Sequence, residues 1–149
     1  MLNLWNDTGF SKNLKEASLN NKTFAGTSAG ANCWFSSFTS PTSVGLKEGK
    51  GLGIVKAHMT AHGDDLLAKE FRQNIVETKK LLGFCMVRDT AVAIDGEEYR
   101  LIVPKRYTGL SESTKFPLIT NLEDGRYSYT EVKKTTEYHR TENKLVLKK

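Results

Sequence analysis

The chain presents one serine in a setting that can make a serine reactive, Gly26-Thr27-Ser28-Ala29-Gly30, followed at once by Ala31-Asn32-Cys33-Trp34-Phe35. The five residues read Gly-x-Ser-x-Gly, a pattern that carries meaning only where a short strand enters it and a helix leaves it. Thr23-Phe24-Ala25 reads as the short apolar entry, and Ala29 to Phe38, free of proline, as the helix. A serine held in a sharp strand-to-helix turn has strained backbone angles, and only small neighbours fit beside it. The turn lifts the hydroxyl clear of the sheet, and the free N–H groups of the helix start, that of Ala29 first, can stabilise a developing oxyanion. The alternative reading is a glycine-rich connection before a helix.

A serine hydroxyl attacks a carbonyl only when a base takes its proton, and a third group usually orients that base. The histidines are His58, His62 and His139. His58 falls at the end of the predicted strand Leu52 to His58, at the edge where open α/β sheets place their sites. It is read as the base, the alternative being a hydrogen-bonded strand-end histidine. His62 follows in a short connection, and His139 lies in a polar tail. Asp89 has the same placement after the next strand, Phe84 to Arg88, and is the expected orienting acid. Asp64 and Asp65 read more economically as helix-capping residues and Asp95 as a turn residue. His58 and His62 have the spacing of His-x-x-x-His metal sites, but Met59 stands where a Glu is required, so no metal is expected. No cofactor is expected either.

The elements that must position these residues follow from patterning. Leu2 to Thr8 reads as a helix end or turn stopped by Gly9, and Ser11 as the cap of a helix over Lys12 to Leu19. Ser36 to Lys50, rich in Ser, Thr, Gly and Lys, reads as a long polar loop without regular structure. Gly63-Asp64-Asp65 opens the strongest helix, with an apolar face of Leu66, Leu67, Phe71, Ile75, Leu81 and Leu82 and Gly83 as its stop. Ala91 to Ile94 and Tyr99 to Val103 form a hairpin through Asp95-Gly96. Phe116 to Asn121 and Arg126 to Val132 can pair through Asp124-Gly125, and Leu145-Val146-Leu147 can add a short strand. The fold class is α/β. An elbow strand normally has parallel neighbours on both sides, and only about twenty residues without a strand precede Thr23.

Composition bounds the partners. With 149 residues the chain suits one domain, and 38% hydrophobic and 26% charged residues are ordinary for a globular protein. No apolar run approaches the ~20 residues that span a bilayer, and the N-terminus lacks the features of a signal peptide. Membrane partners are therefore not expected. Cys33 and Cys85 offer at most one bridge and form no Cys-x-x-Cys pair, which favours a reduced, cytoplasmic protein. Of the net charge of +5, four units come from residues 104–149, where ten Lys and Arg face six Asp and Glu. The surplus is dispersed rather than clustered with stacking aromatics, which weighs against nucleic-acid binding.

The run Gly26 to Phe35, and its Ser-Ala-Gly-Ala core above all, resembles the nucleophile region of the dipeptidase E and cyanophycinase-like family of serine peptidases. Leu2-Asn3-Leu4-Trp5 through Thr8-Gly9 is similar to the helix preceding it in family members. Gly51-Leu52-Gly53-Ile54 with His58-Met59-Thr60 is similar to the segment bearing the family's histidine, and Asp89 to the acidic residue ahead of its hairpin. The likeness runs from Met1 to about Val103. It implies a three-layer α/β sandwich of the class I glutamine amidotransferase type, here a C-terminal portion (residues 1–103) with a β-rich polar extension (residues 104–149). It further implies a Ser28–His58–Asp89 triad with Ala29 in the oxyanion hole, and small peptides, Asp-X dipeptides among them, as substrates. Family members carry an N-terminal half with several parallel strands and an oxyanion loop. Their absence before Met1 raises a second expectation: a truncated or split chain, inactive alone, that self-associates or pairs with a separate N-terminal half. The neutral Ser36 to Ser40, where many relatives carry acids, bears on substrate preference.

Overall fold

The computed structural model describes residues 1–42, 45–63, 69, 71, 82–104, 116–124, 126–142 and 144–148. Three helices open the chain: α1 (Leu2–Asp7), α2 (Phe10–Leu19) and the single turn α3 (Ala29–Asn32). Strands β1 (Phe35–Thr42), β2 (Gly45–Lys50), β3 (Val55–Thr60) and β4 (Leu82–Cys85) follow. The later strands are β5 (Ala91–Asp95), β6 (Glu98–Ile102), β7 (Leu118–Glu123), β8 (Arg126–Glu131), β9 (Thr136–Thr141) and β10 (Lys144–Leu147). The protein is α/β, mostly strand, with one mixed sheet in the order β2-β1-β3-β4-β7-β8 and one antiparallel sheet in the order β10-β9-β6-β5.

The mixed sheet is built on three parallel strands, with β3 pairing β1 on one side and β4 on the other. Antiparallel β2 and β7 flank them, and β8 extends β7. Side chains alternate across a strand, and β3 shows the consequence. Ala57 and Met59 enter the core between the two sheets with Phe35, Leu82, Phe84 and Ile119, against Tyr99, Leu101, Tyr138 and Leu145 of the antiparallel sheet. The centre of that core is a ring stack: Phe84 lies 5.8 Å from Tyr99 with ring planes 7° apart, and 6.0 Å from Phe35 at an edge-on angle. Phe71, itself helical, packs on Cys85 and Leu118, which alternate with the core-facing residues of β4 and β7. Strands from both sides of position 103 enter each sheet: β7 and β8 join the mixed one, and β9 pairs with β6 in the other.

Several expectations need correction. Positions 36–42 and 45–50 of the expected loop are strand, in β1 and β2; the inward positions of β1 include Ser37 and Thr39, so in that strand period-2 burial is present without period-2 hydrophobicity. The helix after the elbow stops at Asn32 rather than Phe38, because β1 begins at Phe35 to meet β3. Thr23-Phe24-Ala25 forms no strand and pairs with none of the described strands. Ser11 is not a cap: α2 starts at Phe10 after Gly9 in a left-handed conformation (φ 75°), and the Ser11 hydroxyl is buried without a hydrogen-bond partner among the described residues. The strand read over Leu52 to His58 is β3, three residues later at its start and two at its end, and Gly83 lies inside β4 rather than at a helix stop. Of the helix read from Gly63 to Gly83, Lys69 and Phe71 are helical, Gly63 is in no helix, Leu82 belongs to β4 rather than to the helix's apolar face, and positions 64–68, 70 and 72–81 lie outside the described residues. The hairpins about Asp95-Gly96 and Asp124 form as expected, as does the strand at Leu145, while β9 has no counterpart in the sequence reading.

Across the outer sheet, Glu98 of β6 pairs with His139 Nδ1 of adjacent β9 at 2.8 Å and with Lys148, just past β10. The Lys148 hydrogen bond, then that of His139, holds its carboxyl below the ordinary glutamate range. A depressed folded-state value stabilises the protein above the unfolded value and is lost as pH falls through the folded one. Urea midpoints measured from pH 6 down to pH 3 should show a small acid-side decline that Glu98→Gln reduces and 1 M salt screens. Phe84→Ala, which empties the centre of the ring stack, should destabilise by about 3–5 kcal/mol in urea unfolding at pH 7.

Candidate active site

Ser28 caps α3 with φ 52° and ψ −125°, a conformation that a non-glycine residue holds only when its surroundings enforce it. The enforcement is local. Gly30 N–H donates to Thr27 O at 2.8 Å, and Ala31 and Asn32 N–H both donate to Ser28 O, at 3.0 and 3.1 Å. The chain entering the turn passes so near the helix that a Cβ on Gly26 would lie 2.1 Å from Gly30 O, so only glycine fits at the first position of the pattern. The entering segment is seated by rings: Phe24 lies 4.9 Å from Trp34, which stacks on Trp5 at 6.3 Å. Ser28 and Ala29 are exposed, and the Ala29 N–H has no partner among the described residues.

The Ser28 hydroxyl meets a histidine, and that histidine is His62: Oγ to Nε2 is 2.7 Å. His62 lies two residues beyond the end of β3, exposed, with φ 58°. Its backbone is tied to the neighbouring strand, since Gly63 N–H donates to Met86 O at 2.7 Å and Met86 N–H to Thr60 O at 2.8 Å. For the hydroxyl to donate, Nε2 must be unprotonated, which puts the proton of the neutral ring on Nδ1.

His58 is not brought to Ser28. It sits inside β3, fully buried, with Nδ1 2.8 Å from Ser37 Oγ and Nε2 3.1 Å from Thr39 Oγ1, its ring 6.1 Å from that of Phe71. The physical reason is strand length: β3 continues to Thr60, so position 58 alternates onto a covered face, and only a residue past the strand end reaches the open edge. The useful signal in the sequence was Thr60, a β-branched residue that extends the strand and moves the edge from His58 to His62.

The strand read over Phe84 to Arg88 is parallel β4, which ends at Cys85, so Asp89 lies not at the strand end but four residues beyond it, exposed in a turn with φ 61°. No hydrogen bond or ion pair joins it to a described residue, His62 included. His139 pairs with Glu98 on the outer sheet, and Asp95 ends β5 at a hairpin turn. Asp64 and Asp65 lie outside the described residues. Among the described residues no three His, Cys, Asp or Glu side chains cluster as metal ligands. Cys33 and Cys85 are buried thiols not joined in a disulfide; burial pushes the Cys33 thiol up, and it donates to Gly30 O at 3.2 Å. A surface concavity lined by Asp124, Arg126, Tyr127 and Ser128 contains none of the site residues. No helix among the described residues is long and apolar enough to cross a membrane.

An exposed serine on a strained turn, hydrogen-bonded to a histidine and followed by an open N–H, is equipped to attack a carbonyl. Comparison with known proteins bears on that chemistry. No curated protein matches the chain. The model of peptidase family S51 matches residues 1–102, which include α1 through β6 and both members of the Ser28–His62 pair. The chain therefore belongs to peptidase family S51, the dipeptidase E and cyanophycinase-like family of serine peptidases.

Proposed function

We propose that the chain hydrolyses small peptides through an acyl-enzyme in which Ser28 is the nucleophile and His62, in place of His58, is the base. The observation that carries this reading is the 2.7 Å contact between Ser28 Oγ and His62 Nε2. Ser28 Oγ bonds to the scissile carbonyl carbon as its proton passes to Nε2, and the carbonyl oxygen takes the negative charge beside the Ala29 N–H. The tetrahedral adduct collapses with protonation of the leaving amine by His62. A water, deprotonated by the same ring, then releases the acyl group and restores Ser28. We assign Asp89 to orient His62, from its place on the adjoining arm: Met86, whose carbonyl holds Gly63, lies three residues before it. A preference for Asp-X dipeptides rests on the family resemblance alone.

A second reading follows the apolar surface of the first two helices. Leu4, Phe10 and Leu19 are 63, 44 and 85% exposed, and the segment before the elbow has no strand partner among the described residues. In this reading a further polypeptide, a second copy or a separate half, covers that face and completes the site. A monomer by light scattering that turns over Asp-containing dipeptides excludes it.

Labelling by a fluorophosphonate probe tests the first reading. Ser28→Ala should abolish labelling, and His62→Gln should slow it by roughly 10²–10⁴-fold, the usual worth of a positioned base. His58→Gln should label at close to the wild-type rate while losing about 1–3 kcal/mol of stability through unpaired hydroxyls in the covered face. If His58→Gln abolishes labelling and His62→Gln does not, the base assignment fails. Asp89→Asn should slow labelling at least about tenfold; an unchanged rate removes Asp89 from the mechanism.

A further inference from the structure

Gly63 is where the arm carrying His62 meets the sheet. Its N–H is held by Met86 O at 2.7 Å, and its α-carbon lies against β4 with no room for a side chain. A Cβ built there would be 2.5 Å from Cys85 Sγ, 3.2 Å from Met86 O and 3.5 Å from Val87 Cγ1. Contacts under 3.0 Å are essentially never made by real Cβ atoms. The thiol cannot step aside freely, because Cys85 is fully buried and packed with Phe71 and Leu118. An added carbon must therefore displace the 62–63 backbone, and the residue next in line is His62, already held at φ 58°.

We propose that Gly63 is a positioning residue: the contact of its bare α-carbon with the Cys85 thiol sets the reach of His62 to Ser28. The inference rests on the Ser28–His62 pair described above. It predicts a volume exchange across one contact. Gly63→Ala overfills the space and pushes the imidazole off the serine. Cys85→Ala leaves a gap and loosens the arm. The double variant exchanges a sulfur for a methyl and restores the fit. Misplacement by about 1 Å costs on the order of 10²-fold in rate, so Gly63→Ala should lose about that much fluorophosphonate labelling.

The test reads geometry and rate separately. The ¹⁵N resonances of the His62 ring are recorded in each background with and without Ser28→Ala, a comparison that reports the hydrogen bond whether or not the protein is active. The expected result is a clear response in the wild-type background, none in Gly63→Ala, and a restored response in Gly63→Ala/Cys85→Ala, with labelling rates following the same order. Absence of the response in the wild-type background overturns the Ser28–His62 pair and the inference with it. A response in that background combined with wild-type response and rate in Gly63→Ala overturns the positioning role alone. So does a double variant no better than Gly63→Ala. Should Gly63→Ala not fold, Cys85→Ala carries the test, with a labelling loss of about three- to fivefold from the loosened arm; an unchanged rate and ring response overturn the inference.

Discussion

The structure depends on the parallel pairing of β3 between β1 and β4. A strand with hydrogen-bonded neighbours on both sides has no free edge, and both its faces are claimed by packing. On one face Ala57 and Met59 close the core between the sheets. On the other, His58 and Thr60 lie beside Ser37 and Thr39, with Phe71 against the His58 ring. A histidine within such a strand is consumed by the fold. Chemistry begins only where the ladder ends, and the same pairing that buries His58 brings the chain beyond Thr60 against the chain beyond Cys85.

The turn at Ser28 was legible because its constraint is steric and local. Gly26 has to be glycine, and a five-residue pattern records that requirement directly. The histidine that meets Ser28 was not, because its identity turns on where a strand stops. Placing the end of β3 at His58 rather than Thr60 is an ordinary boundary error, yet it exchanges one histidine for the other. Alternation means that a two-residue error keeps the face and changes the environment from solvent to interior.

The hairpin turns were legible for the same local reason: Asp95-Gly96 announces a positive φ, observed at 56° for Gly96. The β1–β2 hairpin was hidden because its inward positions carry hydroxyls that serve His58, so hydrophobic alternation, the usual signal, is missing. Strand β9 was hidden because Tyr138 alone is buried within Thr136–Thr141, among charged neighbours. In both cases tertiary partners, and not a strand's own composition, decide the structure.

Ser28 and His62 are held by different means. His62 hangs from backbone hydrogen bonds to a parallel ladder, whereas the segment leading into Ser28 joins no ladder among the described residues and is seated by Phe24 on Trp34 and Trp34 on Trp5. Trp5 and Trp34 are the two tryptophans of the chain. The intrinsic indole emission of this protein therefore originates wholly beside the turn that carries Ser28, and a shift in that emission reports a disturbance of that seat or of the core against which Trp34 packs.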